Sequence, residues 1–587
     1  AVFDRLCVIL RQHDDARGLV QALSARLTWL ESRGAADPGI VPILFERAQV
    51  RRAVGDIRGA ADDLDRVLEL APSHREALRV QAEVHTSIGD AAAAAELWRR
   101  YLAVEREGRA RSDAELVLSK LLAEDLGDVG GAIEQLEHVI AAAPSDLGHR
   151  ERLVGLASHA QDWRRVTREL REIARLRATP GERARDELRL GQLLRDRLND
   201  HAEAIAAFER GRQLDAINLE LVRELAELSG AQQPARRTAV LERAVQDLRA
   251  AIADSPAVAP LYDRLASVFG WRGDRDGQWL ALTVVEALAT PTAEQQALLA
   301  AGRAAPPPAP SRQLLDADAR AALQAPGSGG LLTELWRAAS AAVHDSIGID
   351  PARLGFHRGD RVALKALGKR FEPAAACLAS LGVEDVEIYV SEVRPGQARA
   401  FSAGTPILCL GADVASGATP MARFLLGRAS WQVADRTAAL AELKDAEVAW
   451  YLVAALRASE VPVPPALAEL CRGDDAAVAE RTRLVTKHLA RRDRKTIAGL
   501  AGRLAEVRDV PGWRSAVVSS GARAGLAFAG DLHVALEAID VGRGGRTLAT
   551  DPVGLDLAVW TVSAPYLSLR RRRGLTIDGA PAPGGAR

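Results

Sequence analysis

Side chains that commonly do chemistry are scattered thinly along the 587 residues. The four cysteines, Cys7, Cys377, Cys409 and Cys471, lie far apart, with no CxxC and no Cys/His spacing suited to a metal. Buried free thiols in a reducing compartment are the expectation. His488 and His533 fall in helical stretches and read as surface or cap residues rather than ligands. There is no GxSxG, no GxxxxGK[ST] and no strand leading into GxGxxG, so neither an activated nucleophile nor a phosphate-cradling loop is on offer. Two basic clusters remain, Lys487 to Lys495 and the run Arg570–Arg573. The second sits at the end of a helical stretch, where cations complement the macrodipole. Lys+Arg 77 against Asp+Glu 78 leaves the chain near neutrality, which disfavours a dedicated nucleic-acid or anionic-membrane binder. No catalytic residue, metal or cofactor is expected.

What must carry function is therefore a helix surface, and the chain is rich in helix-forming patterns. Aromatic residues are only 4% while alanine abounds, which suits closely stacked helices better than a β-sandwich. Gly55-Asp56 and Gly89-Asp90 mark turns between apolar-periodic segments, 34 residues apart. The same signal recurs at Asp15, Asp128, Asp162, Asp200 and Asp274, with Pro234 supplying a break near Gln232–Arg236. Seven or eight helical hairpins from Ala1 to Leu299 follow. Two intervals of 38 residues, attributed to Arg106–Arg111 and Thr179-Pro180-Gly181, are expected to lengthen loops between hairpins.

On these residues the first 300 or so positions resemble the tetratricopeptide repeat family, whose unit of about 34 residues is helix, turn, helix. The resemblance implies a right-handed α–α superhelix with its concave side lined by first helices, and a partner peptide or helix held there. Members of the family that grip a C-terminal carboxylate place lysine, asparagine and arginine at fixed inward positions. The corresponding positions here are Phe45 and Gln49, Arg79 and Glu83, Val117 and Leu121, and Arg189 and Leu193, so that clamp is absent. Phe45, Gln49, Arg79, Glu83 and Arg189 are the candidate groove residues.

The proline-rich stretch 304–311 reads as a stiff linker between a 1–303 solenoid and a 312–578 α+β domain, with a disordered tail at 579–587. In the second domain, strands are expected at Val386–Ser391, Ala398–Ser402 and Pro406–Leu410, followed by a helix from Met421. This order resembles the core of a zinc metallopeptidase of the HExxH class. The resemblance puts Gly427 and Trp431 where the two histidines belong and Arg428 where the glutamate belongs, so it implies a dead relative without metal ligands. A hydrolase in this domain, or nucleic-acid contact through the basic clusters, are the rival readings.

The fold class expected is thus mostly α, a tetratricopeptide-like solenoid followed by an α+β domain. The function expected is that of a non-enzymatic scaffold for protein partners. No run of apolar residues is long enough for a transmembrane helix. The chain opens at Ala1 and its one methionine is Met421, consistent with processing or excision from a longer chain. The cysteine usage alone points to the cytoplasm.

Overall fold

The computed structural model describes residues 2–34, 37–304, 311–541 and 547–577. They form two compact units, Ala1–Ala231 and Gln232–Arg587.

The first unit is an array of helical hairpins. Its pairs are Val2–Gln12 with Ala16–Glu31, Ile40–Ala53 with Ile57–Leu70, and Arg75–Ile88 with Ala91–Val104. They continue as Arg109–Glu124 with Val129–Ala142, Leu147–His159 with Trp163–Leu176, and Pro180–Asp196 with His201–Leu214, before the helix Leu219–Gln232. Each turn aspartate named above is the N-cap of a second helix. Asp15, Asp56, Asp90, Asp128, Asp162 and Asp200 accept from the backbone N–H of Gly18, Gly59, Ala93, Gly131, Arg165 and Glu203. A carboxylate there satisfies one of the N–H groups a helix start leaves open and meets the positive end of the macrodipole. The preceding Gly89, at φ 80°, ends the Arg75–Ile88 helix in the left-handed conformation that glycine adopts without a Cβ clash.

The 38-residue intervals are not simply longer loops. The first helices within them, Arg109–Glu124 and Pro180–Asp196, have 16 and 17 residues, against 14 for Ile40–Ala53 and Arg75–Ile88. Thr179 and Glu182 make a capping box, so part of the insertion is wound into the helix it was expected to precede.

Small residues sit where helices cross: Ala48, Ala60, Ala82, Ala94 and Ala132 have no exposed surface. One apolar cluster runs from Cys7 through Ala132 across the first four hairpins, because no hairpin closes a core by itself. Within hairpins, buried carboxylates are held by arginine, as in Arg47–Asp63 at 2.5 Å and Arg150–Glu169 at 2.5 Å. Between hairpins, exposed pairs such as Arg52–Glu83 and Arg171–Glu203 join successive repeats.

The second unit opens with the 21-residue helix Pro234–Asp254, proline at its first turn, then the hairpin Ala259–Arg272 with Arg275–Leu288, capped by Asp274, then Ala293–Arg303. These helices share one compact unit with everything C-terminal to them, so compactness divides the chain at 231/232 and not at the proline-rich stretch. Proline breaks a helix, whereas a domain boundary is set by where contacts thin out. Arg249 Nε donates to the Val562 carbonyl at 2.7 Å, and Arg570 binds Asp276. Residues 305–310 of the expected linker and the expected tail lie outside the described residues.

A four-stranded sheet has the order β1-β2-β4-β3, with β1 Arg361–Val362, β2 Glu387–Ser391, β3 Ala398–Phe401 and β4 Ile407–Gly411. The β2–β4 pair is parallel, in register Ile388 with Leu408, and the other two pairs are antiparallel. The segment from Arg361 that reads as helix begins with β1 and turns helical only at Leu364. The helix Pro420–Asp435 packs on β3 and β4, while Leu331–Ile347, Asp445–Ala458 and Val510–Ala529 contribute to an apolar cluster of their own. The chain's last described helices are Pro552–Thr561 and Ala564–Arg572, the second capped by the Ser563 side chain.

Candidate functional site

The third and fourth hairpins enclose a cavity of about 700 Å³. One wall is a stripe of the Arg75–Ile88 helix: Arg75, Glu76, Arg79, Glu83 and Thr86, at the three- and four-residue steps that share a helix face. The facing wall is Ala110, Asp113, Ala114 and Val117 of Arg109–Glu124. Trp98 and Tyr101 of Ala91–Val104 form the floor, with Glu105 at its edge. The two floor residues are 5% and 2% exposed, and their rings meet edge to face at 5.7 Å.

The polar groups are ordered by one another. Arg79 donates to Glu83 at 2.6 Å and to Glu76 at 3.3 Å. Arg52 of the preceding hairpin reaches Glu83 at 2.7 Å, and Arg75 lies 3.3 Å from Glu105. Tyr101 Oη donates to Glu105 at 3.2 Å. Burial, then the neighbouring Glu105 charge, raises the Tyr101 phenol above its ordinary value, so it stays a protonated donor. The Trp98 indole N–H has no hydrogen-bond partner among the described residues. The arrangement is an apolar floor between charged walls.

Of the residues singled out by repeat position, the cavity gathers Arg79 and Glu83 with Val117 opposite. It does not include Phe45, whose half-buried ring stacks on His74 at 5.0 Å, nor the exposed Gln49. Arg189 stands apart as well, 3.4 Å from Glu151 on another hairpin. Leu121 is buried in the core. Arg75, Glu76, Glu105 and Asp113 were not singled out in the sequence. The first two share a face with Arg79 and could have been found by stepping one turn back along the helix. Glu105 and Asp113 come from other helices and carry no such signal.

In the second unit, Gly427 lies where Pro420–Asp435 crosses Val510–Ala529. A Cβ on Gly427 would stand 2.9 Å from the Ala524 carbonyl oxygen and 2.8 Å from the Phe528 ring, and Gly525 meets Phe424 as closely. Arg428 lies over the Phe424 ring at 5.5 Å, and Trp431 is buried. Gly427 and Trp431 thus serve packing, and Arg428 stacks on an aromatic neighbour. The described residues hold no group of three or more His, Cys, Asp or Glu placed to bind a metal.

Of the run Arg570–Arg573, Arg571 and Arg572 are exposed and the other two are turned inward. Arg570 is 1% exposed and holds Asp276 through two bonds of 2.8 and 2.9 Å, with the Gly530 and Leu575 carbonyls taking further N–H groups. Arg573 lies 3.9 Å over the Phe528 ring, and Arg572 binds Asp316 at 2.5 Å. The exposed Lys487, Arg491, Arg492 and Lys495 remain as a basic surface. Among the described residues no helix is long and apolar enough to cross a membrane.

The sequence matches no protein-family model and no curated protein. Solved structures similar to it include YrrB, described as a TPR protein with an unusual peptide-binding site, at 14% identity over 34% of this chain and 96% of that one, TM-score 0.23. Another is MamA from residue 41 onward of Desulfovibrio magneticus RS-1, at 18% identity over 31% and 97%, TM-score 0.21. A third is the C-terminal part of a TPR repeat-containing protein of Cytophaga hutchinsonii, at 13% identity over 43% and 99%, TM-score 0.25. Whole-chain scores this low argue for nothing by themselves. The tetratricopeptide-like form of the array stands on its own hairpins, caps and spacing.

Proposed function

We propose that the chain is a non-enzymatic protein-interaction scaffold, and that a peptide or helical segment of a partner seats between the Arg75–Ile88 and Arg109–Glu124 helices. The observation that carries this reading is the cavity itself: Arg79 and Glu83, chosen from repeat position alone, stand in its wall above an aromatic floor. Its volume, about 700 Å³, falls in the range of roughly 300–1,000 Å³ typical of ligand sites. The walls belong to successive repeats, so a bound segment would gain from apolar and polar contacts on more than one hairpin. The ion pairs already formed within the walls pre-order the surface and lower the cost of arranging it on binding.

The test is selection of a random peptide library on the full-length protein, repeated with Ala110→Trp. Ala110 is exposed at the rim, so the indole fills the cavity without entering the core. Peptides recovered with wild type should bind the variant at least about tenfold more weakly at unchanged thermal stability. Equal binding to both proteins would refute a site in this cavity.

A further inference from the structure

We infer that the segment taken by this cavity is basic as well as apolar: a stretch of a partner protein carrying lysine or arginine beside a large apolar anchor. The inference rests on the groove reading above and adds the chemistry of the occupant. It begins with how charge is distributed along the first unit. Residues 75–142, the two hairpins that build the cavity, hold eight Lys/Arg against thirteen Asp/Glu, a net charge of −5. Residues 1–74 hold ten against eleven, and residues 143–231 hold sixteen of each. The acidity of this unit is therefore concentrated where the cavity is.

The side-chain geometry sharpens the point. The lining has four carboxylates, Glu76, Glu83, Glu105 and Asp113, and two guanidiniums, Arg75 and Arg79. Both guanidiniums are engaged: Arg79 is bracketed by Glu76 and Glu83, and Arg75 lies against Glu105. An incoming anion would meet two guanidiniums whose charge these carboxylates already offset. On the opposite wall Asp113 has Arg109 at 3.8 Å, beyond hydrogen-bonding reach, and that arginine side chain is 94% exposed. Such a contact is screened by water and easily exchanged. A cation entering from the rim thus finds a carboxylate free to receive it, while Trp98, Tyr101 and Val117 offer an apolar seat beside it. A net negative charge around a low-dielectric floor also steers a basic segment toward the cavity.

Three short fluorescent peptides on the full-length protein decide the matter: two amphipathic ones, leucine with lysine and leucine with glutamate, and an all-polar one of serine with lysine. The leucine–lysine peptide should bind best, with the other two at least about tenfold weaker. Its affinity should fall with added salt, fall several-fold on Asp113→Lys, and be lost on Ala110→Trp. Equal or tighter binding of the leucine–glutamate peptide would overturn the charge assignment and leave the groove reading standing. Binding of the leucine–lysine peptide that neither variant alters places it elsewhere and overturns the inference. Self-association of the protein alone, abolished by Ala110→Trp in sedimentation, would make a second copy the occupant and overturn it too. If neither these peptides nor the library binds in a manner sensitive to Ala110→Trp, the groove reading fails with it.

Discussion

Arg570 is the residue whose environment departs furthest from its appearance in the sequence. It stands in a run of four arginines, which reads as a solvated charge cluster, yet its guanidinium is buried on Asp276 between the Trp279 and Tyr566 rings. Breaking one half of a buried pair leaves an uncompensated charge, so Arg570→Met should cost about 3–5 kcal/mol in urea unfolding, and adding Asp276→Leu should restore much of it. The partner was illegible because nothing local ties position 570 to position 276. Gly427 is a second case. The HExxH alignment made it a missing ligand, whereas the crossing with Val510–Ala529 makes it a contact point. Gly427→Val should destabilise by about 1–3 kcal/mol through overpacking, read as a lower melting temperature. The cysteines were legible: all four are free and buried, and burial pushes the Cys377 and Cys409 thiols up to about 12 from an ordinary 9.0. Below pH 9 folded and unfolded chains both keep these protons, and above it only the unfolded chain releases them. Stability should therefore fall as pH rises from 9 toward 12, and a thiol reagent at pH 8 should leave Cys377 and Cys409 unmodified until the protein is unfolded.

At the scale of elements, the turn aspartates were the most readable feature, because a helix N-terminus has open N–H groups that a short carboxylate satisfies from one sequence position. Asp56→Ala and Asp128→Ala should each cost about 0.5–2 kcal/mol in thermal unfolding, while the exposed Asp62→Ala should change little. The three longer strands were found within one residue at each end, since alternation and β-branched content mark them. Strand β1 was missed because two residues have no period to read. The helical insertions at the 38-residue intervals were missed for another reason. Sequence spacing shows that residues were added, and only the capping box at Thr179 shows that a helix begins inside the addition. The cavity follows the same rule: its wall on one helix was legible by periodicity, and the groups from two other helices were not.

At the scale of the molecule, the second unit extends back to Gln232 and includes the hairpin Ala259–Arg272 with Arg275–Leu288. Within this unit the hairpin is held by C-terminal chain: Ile577 N–H donates to Asp276 at 3.3 Å, and Leu557 and Trp560 are buried on the helix Pro552–Thr561. Hydrogen exchange on the full-length protein should show residues 234–303 protected together with residues 317–541 and 547–577. In Arg570→Met, protection should fall in 275–303 while residues 1–231 keep their wild-type rates. Equal loss throughout the chain would contradict two separate compact units.

The bond between Asp276 and Arg570 joins positions 294 residues apart. During synthesis, at roughly 5–20 residues per second, the helices that carry Asp276 and Trp279 would emerge about 15–60 seconds before the arginine that neutralises that carboxylate. Through that interval an acidic group and a large indole lie open, so nascent chains halted before residue 570 should be captured by chaperones and cut by protease within 275–303. Chains in which the helix Ala564–Arg572 has emerged should be spared. Contacts of such long separation also make folding slow, and the rate at which this unit matures is thus tied to the emergence of the helix that carries Arg570.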